Sequence, residues 1–313
     1  MTDLKYKLLE SHQRITPFIH RTPVLSSTLI NEKAGAQVYF KCENFQKMGA
    51  FKMRGATNAI LCLTDEQKAK GVVTHSSGNM AQAVSLGAKS QGIPAHIVMP
   101  QNAPQVKKDA VKDYGGIIHI SGNHIAEREQ LANKLIEEMG LSFIHPSNDL
   151  NVILGQGTAV VELLEERPNL DVILTPVGGG GLLAGSGIAA KELSSSCKII
   201  AGEPERADDA YRSLKSGKIE TNENYDTIAD GLRTNLGDIN FPIIQKYVDG
   251  IILVSEEEIV AAMRLIWERM KIIIEPSCAV PFAAVLKNKE TFANQKIGIV
   301  LTGGNVDLSK LPF

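Results

Sequence analysis

Eight short runs rich in β-branched residues recur along the 313-residue chain: AQVYF (36–40), GVVTHS (71–76), PAHIVMP (94–100), GIIHIS (116–121), DVILTPV (171–177), CKIIAGE (197–203), GIILVS (250–255) and KIGIVLT (296–302). Stretches of helical pattern lie between most of them. That alternation restricts the chain to the α/β class, with open, mostly parallel twisted sheets carrying helices on both faces. The block 72–148 holds several strand–helix units of its own. It reads as a small α/β domain inserted into a larger one made of 1–71 and 149–313.

Single elements carry their own local logic. Ser255 and Glu258 stand at capping-box spacing, and Ile259, Met263, Ile266 and Met270 follow at helical period. A helix over 256–270 packing on a sheet follows. Another helix is expected over 104–114, with a turn at Gly115-Gly116, and the amphipathic start MTDLKYKLLESHQRI predicts a third.

Composition removes several classes of function. Hydrophobic residues make up 43% and charged residues 22%, and the formal net charge of -2 is spread without runs of one sign. Neither a nucleic-acid surface nor a polybasic membrane patch fits this pattern. The N-terminus lacks a secretory apolar core and carries acids foreign to a transit peptide. No apolar run approaches the ~20 residues that span a bilayer. A cytoplasmic protein with a small-molecule partner is expected. Cys42, Cys62, Cys197 and Cys278 show no metal or disulfide spacing, and Cys42 and Cys62 read as small core residues.

Five local signals bear on chemistry. Gly178, Gly179, Gly180 and Gly181 follow the strand DVILTPV and open a helix pattern, so bare N–H groups and a helix dipole would converge on an anion such as phosphate. Neither a P-loop lysine nor a dinucleotide fingerprint accompanies them, and a tight packing turn is the alternative. Lys52 lies between Phe51 and Met53, with Lys47 and Arg54 close by; such neighbours lower an amine's pKa toward imine formation. Most lysines are instead solvated. Ser76, Ser77, Gly78 and Asn79 at a strand-to-helix junction suit a carboxylate, or simply cap the helix. Thr302, Gly303, Gly304 and Asn305 follow another strand end, where ligands of open sheets bind and where a polar turn is also ordinary. The acids within 203–209 (Glu203, Glu205, Asp208 and Asp209) suit a hard divalent cation, or a solvated acidic turn.

Together these motifs resemble the fold-type II pyridoxal-phosphate (PLP) enzymes of the serine racemase / serine-threonine dehydratase group. The carrying segments are 47–55, SSGN (76–79), GQGT (155–158), PVGGGGLLAG (176–185), GEPERADDAY (202–211), TIADGL (227–232), WERMKIIIEP (267–276) and LTGGNVDL (301–308). They run in family order and span nearly the whole chain. The resemblance implies a cofactor aldimine at Lys52, ring packing by Phe51, and a hydrogen bond from Asn79 to the cofactor's phenolic oxygen. It implies a phosphate site at Gly178 to Gly181, Thr302 facing the pyridine nitrogen, and Gly231 and Glu275 lining the site. Ser76, Ser77 and Asn79 would meet the amino-acid substrate. Glu203, the Ala207 carbonyl and Asp209 would ligate Mg²⁺, Mn²⁺ or Ca²⁺. Gln82, Tyr114 and Lys271 resemble positions that contact an ATP effector at a homodimer interface.

The implied chemistry is removal of the α-proton by Lys52, followed by racemisation or by loss of a β-hydroxyl to give keto acid and ammonia. Ser77 matches the racemases' second acid/base, though some 3-hydroxyaspartate dehydratases also carry serine there. Met80 stands where the family usually has histidine, Thr302 replaces the more usual serine, and His145-Pro146-Ser147-Asn148-Asp149 departs from the common pattern. A C-terminal isoleucine-sensing domain is not expected. A dedicated serine, threonine or 3-hydroxyaspartate dehydratase is the runner-up. A β-replacement enzyme and a ligand-binding protein with a decayed site are more distant alternatives.

Overall fold

A computed structural model gives the structure of residues 2–313; Met1, the first residue of the expected N-terminal helix, lies outside the described residues. The ten strands among the described residues are β1 (Val24–Leu25), β2 (Gln37–Cys42), β3 (Val72–His75), β4 (Ala95–Pro100), β5 (Ile117–Ser121), β6 (Ser142–Phe143), β7 (Val172–Pro176), β8 (Lys198–Pro204), β9 (Gly250–Val254) and β10 (Lys296–Leu301). They form a six-stranded sheet in the order β1-β2-β10-β7-β8-β9 and a four-stranded sheet in the order β5-β4-β3-β6. Every pairing is parallel except β1 with β2. All eight expected runs are strands. β1 and β6 were not foreseen, because two residues are too few to display a period.

Both faces of the large sheet are covered, which explains why β7 and most of β10 are buried without alternation. One face packs against helices Thr2–Ile15, Leu150–Glu166, Gly181–Leu193 and Asn240–Tyr247 through a cluster centred on Ile173, Leu183 and Ile244. The other meets Glu256–Met270 and Pro276–Lys287 through Leu174, Met263 and Phe282. The helix Glu256–Met270 has the expected bounds. Ser255 Oγ accepts from Glu258 N (3.3 Å), Glu258 Oε2 accepts from Ser255 N (2.8 Å), and Ile259, Met263 and Ile266 are buried. Such a cap contributes about 1 kcal/mol.

The small sheet is also covered on both sides, by Lys52–Leu61, Asn79–Lys89 and Gln105–Asp113 on one face and Ile125–Met139 on the other. The helix Gln105–Asp113 closes at Tyr114 and Gly115 (φ 85°), where the turn was expected. One expectation is corrected. Cys42 is fully buried, but Cys62 is exposed, because it caps the last turn of Lys52–Leu61 where the chain leaves the core. Among the described residues no helix is long and apolar enough to cross a membrane.

β10, last in sequence, lies between β2 and β7. β1 and β2 lie to one side of it, β7, β8 and β9 run outward on the other, and the chain returns to the centre last. Crevices in open parallel sheets form at such switch points, beyond the carboxyl ends of the strands.

Candidate active site

Three segments leave the carboxyl ends of the central strands and converge. After β2 the chain turns through Met48 (φ 55°) and Gly49 (φ 76°) into the helix Lys52–Leu61. After β10, Thr302 O accepts from Phe51 N (2.9 Å), and Gly303 bridges Ala50. Lys52 thus stands at a helix start pinned to the β10 end. Its Nζ donates to Pro146 O (2.6 Å) and lies 5.0 Å from the centre of the Phe51 ring. Burial pushes the amine down to about 8 against a smaller opposing pull from Glu275. Near pH 8 about half of it is neutral, whereas an ordinary lysine is almost wholly charged.

The third segment, after β7, is the glycine loop. Gly178 to Gly181 are all buried, and Gly180 adopts φ 80° just before the helix Gly181–Leu193. A Cβ at Gly178 would sit 2.8 Å from Leu232 Cα, at Gly179 2.4 Å from Ser147 Oγ, and at Gly180 2.6 Å from Asn240 Oδ1. No side chain fits. Asn240 Nδ2 holds the loop by donating to Gly179 O (2.7 Å). None of the four glycine N–H groups donates to a protein acceptor among the described residues. Bare N–H groups at a helix start make an anion cradle.

At the end of β10, Thr302 is 2% exposed, and its Oγ1 has no nitrogen or oxygen partner among the described residues, although the Cys278 thiol lies beside it. Glu275, 4% exposed, caps the helix Pro276–Lys287. Its two carboxylate oxygens accept from Asn79 Nδ2 at 3.0 and 3.1 Å. Burial, and next the nearby Asp230 carboxylate, push Glu275 up to about 7. Asn305 Nδ2 donates to Asn79 Oδ1 (2.8 Å) and to Met48 O (2.9 Å), which fixes the amide's orientation. Gly231 N donates to Ser277 Oγ (3.0 Å), two residues beyond the Glu275 cap. Short contacts thus link Lys52, Phe51, Asn79, Gly178 to Gly181, Gly231, Glu275 and Thr302 beyond the strand ends, where a crevice of an open sheet is expected.

Ser76 and Ser77 follow β3, half-buried, immediately before the helix Asn79–Lys89. Ser76 Oγ accepts from Gly78 N (3.2 Å). Met80 is 2% exposed and packs in the core under the small sheet. Its thioether serves packing and offers the crevice no proton. Beside the serines, His75 stacks on Phe143 at 5.3 Å and meets His145 edge-on at 6.4 Å. His145 Nδ1 accepts from Ser147 N (3.0 Å) and Asn148 N (2.7 Å). Burial, together with His75 and Lys52, pushes this imidazole down to about 4. Arg128, on Ile125–Met139, influences the charge of His75 and is half-buried, with Nε lacking any partner among the described residues.

Sequence reasoning missed Asn240, Asn305 and the Pro146 carbonyl as partners of these groups. Asn305 lies within LTGGN, and Pro146 in the segment whose departure from the family was noted; Asn240 has no local signal. Arg128 was missed for the same reason.

The acidic turn follows β8, the strand paired with β7. Glu203, at the end of β8, is 1% exposed and accepts from Ala210 N (2.9 Å) and Tyr211 N (2.8 Å). Asp209 is equally buried and accepts from Asn222 Nδ2 (2.7 Å) and Leu236 N (3.3 Å). Burial raises both carboxyls, Asp209 to about 7. Ala207 is buried between them in sequence. Gln82 is buried on the helix Asn79–Lys89, Tyr114 packs at the edge of the same core, and Lys271 is exposed at the end of Glu256–Met270. No hydrogen bond joins these last three among the described residues.

An amine of lowered pKa, an anion cradle and an unpartnered hydroxyl in one crevice define a cofactor enzyme of the imine-forming kind. Residues 15–303 match the family described as "Pyridoxal-phosphate dependent enzyme", and the chain belongs to that family. Within it, the chain is 52% identical to the serine racemase of Dictyostelium discoideum over 306 residues, covering 96% of this chain and 94% of that protein. It is 49% identical to the β-hydroxyaspartate dehydratase of Paracoccus denitrificans over 306 residues, 98% of this chain and 97% of the other. The structure of maize serine racemase superposes with a TM-score of 0.95 at 50% identity, covering 97% of this chain and 94% of that one. The crevice residues fit pyridoxal phosphate: four free N–H groups for its phosphate, an orphaned buried hydroxyl at Thr302 and a poised amine at Lys52.

Proposed function

We propose that this chain racemises serine and also dehydrates serine and threonine to keto acid and ammonia, with Lys52 carrying pyridoxal phosphate. The observation that carries the reading is the Lys52 amine, pushed down to about 8, in one crevice with a buried glycine loop whose N–H groups are free. When bound, pyridoxal phosphate supplies an electron sink that acidifies the substrate's α-carbon. Gly178 to Gly181 hold the phosphate, Phe51 packs on the ring, and Asn79 Nδ2, spent on Glu275 here, is the donor for the ring oxygen. Ser76 and Ser77, with Asn79, take the substrate carboxylate. Lys52 Nζ removes the α-proton from one face, and Ser77 Oγ returns a proton from the other. Thr302 offers the ring nitrogen a neutral hydroxyl, which does not enforce its protonation as a carboxylate would. That weaker demand favours expulsion of the β-hydroxyl. Gly231 and Glu275 close the side of the crevice.

A dedicated 3-hydroxyaspartate dehydratase is the second reading, and Arg128 favours it. A half-buried guanidinium whose Nε lacks a partner among the described residues, near enough to His75 to influence its charge, suits a substrate's second carboxylate. Purified protein loaded with pyridoxal phosphate and Mg²⁺ is incubated with L-serine, and D-serine and pyruvate are followed together by chiral chromatography. D-Serine in quantity supports the first reading. Pyruvate alone, with 3-hydroxyaspartate as the faster substrate and a selective loss of that rate in Arg128→Met, supports the second.

A divalent cation at Glu203, Asp209 and the Ala207 carbonyl belongs to the same reading. Two buried carboxylates without an ion pair among the described residues suit a cation that neutralises them. Mg²⁺ is then expected to raise Tm, by about 2.7 kcal/mol of stability at one hundred times its Kd. An ATP effector touching Gln82, Tyr114 and Lys271 at a homodimer interface, a cytoplasmic setting and the division into 1–71 with 149–313 and 72–148 complete it. The four-stranded sheet, whose strands lie between residues 72 and 143, supports that division. Turnover indifferent to Mg-ATP removes the effector.

A further inference from the structure

Two residues beyond Lys52, Arg54 is wholly buried with Lys41 and Glu43, and Glu162 is 2% exposed. Arg54 forks both ways. Its Nε and Nη2 donate to Glu43 Oε2 (2.7 Å) and Oε1 (2.8 Å), and its Nη1 and Nη2 donate to Glu162 Oε1 and Oε2 (both 2.8 Å). Lys41 Nζ lies 2.6 Å from Glu162 Oε2 and donates to Thr22 O (2.6 Å), while Thr22 Oγ1 donates to Glu43 Oε1 (2.5 Å). Two cations meet two anions, so the quartet is formally neutral. It joins the Lys52 helix to β2, to the turn after β2, and to the helix Leu150–Glu166.

Stability does not explain four buried charges. Removing such ions from water costs several kcal/mol each, and well-packed apolar substitutes often equal or exceed them. What apolar packing lacks is direction. Two bidentate pairs at one guanidinium fix rotation as well as distance. The backbone is equally close at this point: a Cβ at Gly155 would lie 2.6 Å from Arg54 O. Rotation matters because a turn of about 10° carries a side-chain tip ~6 Å from the helix axis through about 1 Å. An error of about 1 Å in a reacting group costs on the order of 100-fold in rate.

We propose that Arg54, clamped between Glu43 and Glu162, is a positioning residue that sets the rotation of the Lys52 helix, and so the place of Lys52 Nζ against the glycine cradle, while adding little net stability. The proposal rests on Lys52 carrying the cofactor. Borohydride trapping of the loaded wild-type enzyme, followed by peptide mapping, checks that premise separately. A label elsewhere than Lys52 undoes the proposed function, not the geometry of the clamp.

The test is the quadruple variant Lys41→Met/Glu43→Leu/Arg54→Met/Glu162→Leu, which removes all four charges together, beside Arg54→Lys, which keeps the charge but loses the fork. The quadruple variant is expected to melt within about 5 °C of wild type and to bind pyridoxal phosphate. Its kcat should fall about 100-fold with KM little changed, and the visible circular dichroism of the bound cofactor should alter. Arg54→Lys should lose about tenfold in kcat with the same dichroism change. A quadruple variant that fails to fold, or melts far lower, shows a structural network and overturns the proposal. So does one with wild-type kcat and dichroism.

Discussion

Arg54 and Lys52 lie two residues apart, yet the polar clusters around them are opposites. Around Arg54 every charge meets a countercharge: forks at 2.7 and 2.8 Å on both sides, a second cation in Lys41, and a hydroxyl from Thr22. Around Lys52 the account is open. The amine is pushed down to about 8 and the Glu275 carboxyl up to about 7, and among the described residues Thr302 Oγ1 lacks a nitrogen or oxygen partner and four glycine N–H groups find no protein acceptor. A buried group left unsatisfied costs about 1–3 kcal/mol. Closed charges fix direction within the scaffold, whereas open ones mark where a ligand completes the structure.

The largest effect expected from breaking this contrast is at Lys52. Lys52→Met should lower turnover by about 10⁴-fold. It should also stabilise the cofactor-free protein. The folded amine titrates near 8 against an ordinary 10.5, so the burial penalty grows as pH falls from 10.5 to about 8 and is complete below that. At pH 7 the gain is up to about 3 kcal/mol by denaturant unfolding. A loss of stability in this variant would show the amine to be satisfied like Arg54.

Next comes the cradle. Gly180→Ala places a Cβ at φ 80°, 2.6 Å from Asn240 Oδ1. The left-handed conformation costs about 1–2 kcal/mol. A shifted loop should weaken pyridoxal-phosphate binding about 100-fold, read by equilibrium dialysis, since binding spends the N–H groups the loop presents.

A smaller effect is kinetic. Loading of cofactor-free protein needs the neutral amine, so its rate, followed by absorbance, should rise about tenfold between pH 7 and pH 9, with a midpoint near 8. A rate still climbing steeply at pH 10 would place Lys52 among ordinary lysines.

The smallest effect compares two threonines directly. Thr22→Val strips a hydroxyl from Glu43 inside the satisfied cluster and should cost about 1–2 kcal/mol. Thr302→Val removes a hydroxyl with no nitrogen or oxygen partner and should leave the cofactor-free protein within about 0.5 kcal/mol, while weakening turnover. Equal losses in urea unfolding would erase the distinction between the regions.

What was legible in the sequence followed its local periods. The eight β-branched runs are strands, and the helix Glu256–Met270 could be bounded from Ser255, Glu258 and one apolar stripe. Where period failed, so did foresight: β1 and β6 are two residues each, and Cys62, in an apolar neighbourhood of sequence, faces out at a helix end. The glycine run, the lysine between Phe51 and Met53, and the LTGGN turn were visible because each is a local exception to its surroundings. Lys41, Glu43 and Glu162 were not, and Arg54 was read only as a cationic neighbour of Lys52, whereas its charge is taken up by Glu43 and Glu162 and burial displaces the amine. The first three read alone as solvated charges, and only tertiary packing brings the four out of water together.

The sequence by itself therefore determined the class of fold and the segments that carry the chemistry, because strand period, capping and glycine freedom act within a few residues. Tertiary structure alone decided which groups meet. It set Asn79 on Glu275, Asn305 on Asn79, Asn240 on the glycine loop and Arg54 between two glutamates. The pKa displacements of Lys52, Glu275 and His145 belong to that second level. Burial and the distances between charges set them, and both arise only once distant segments pack.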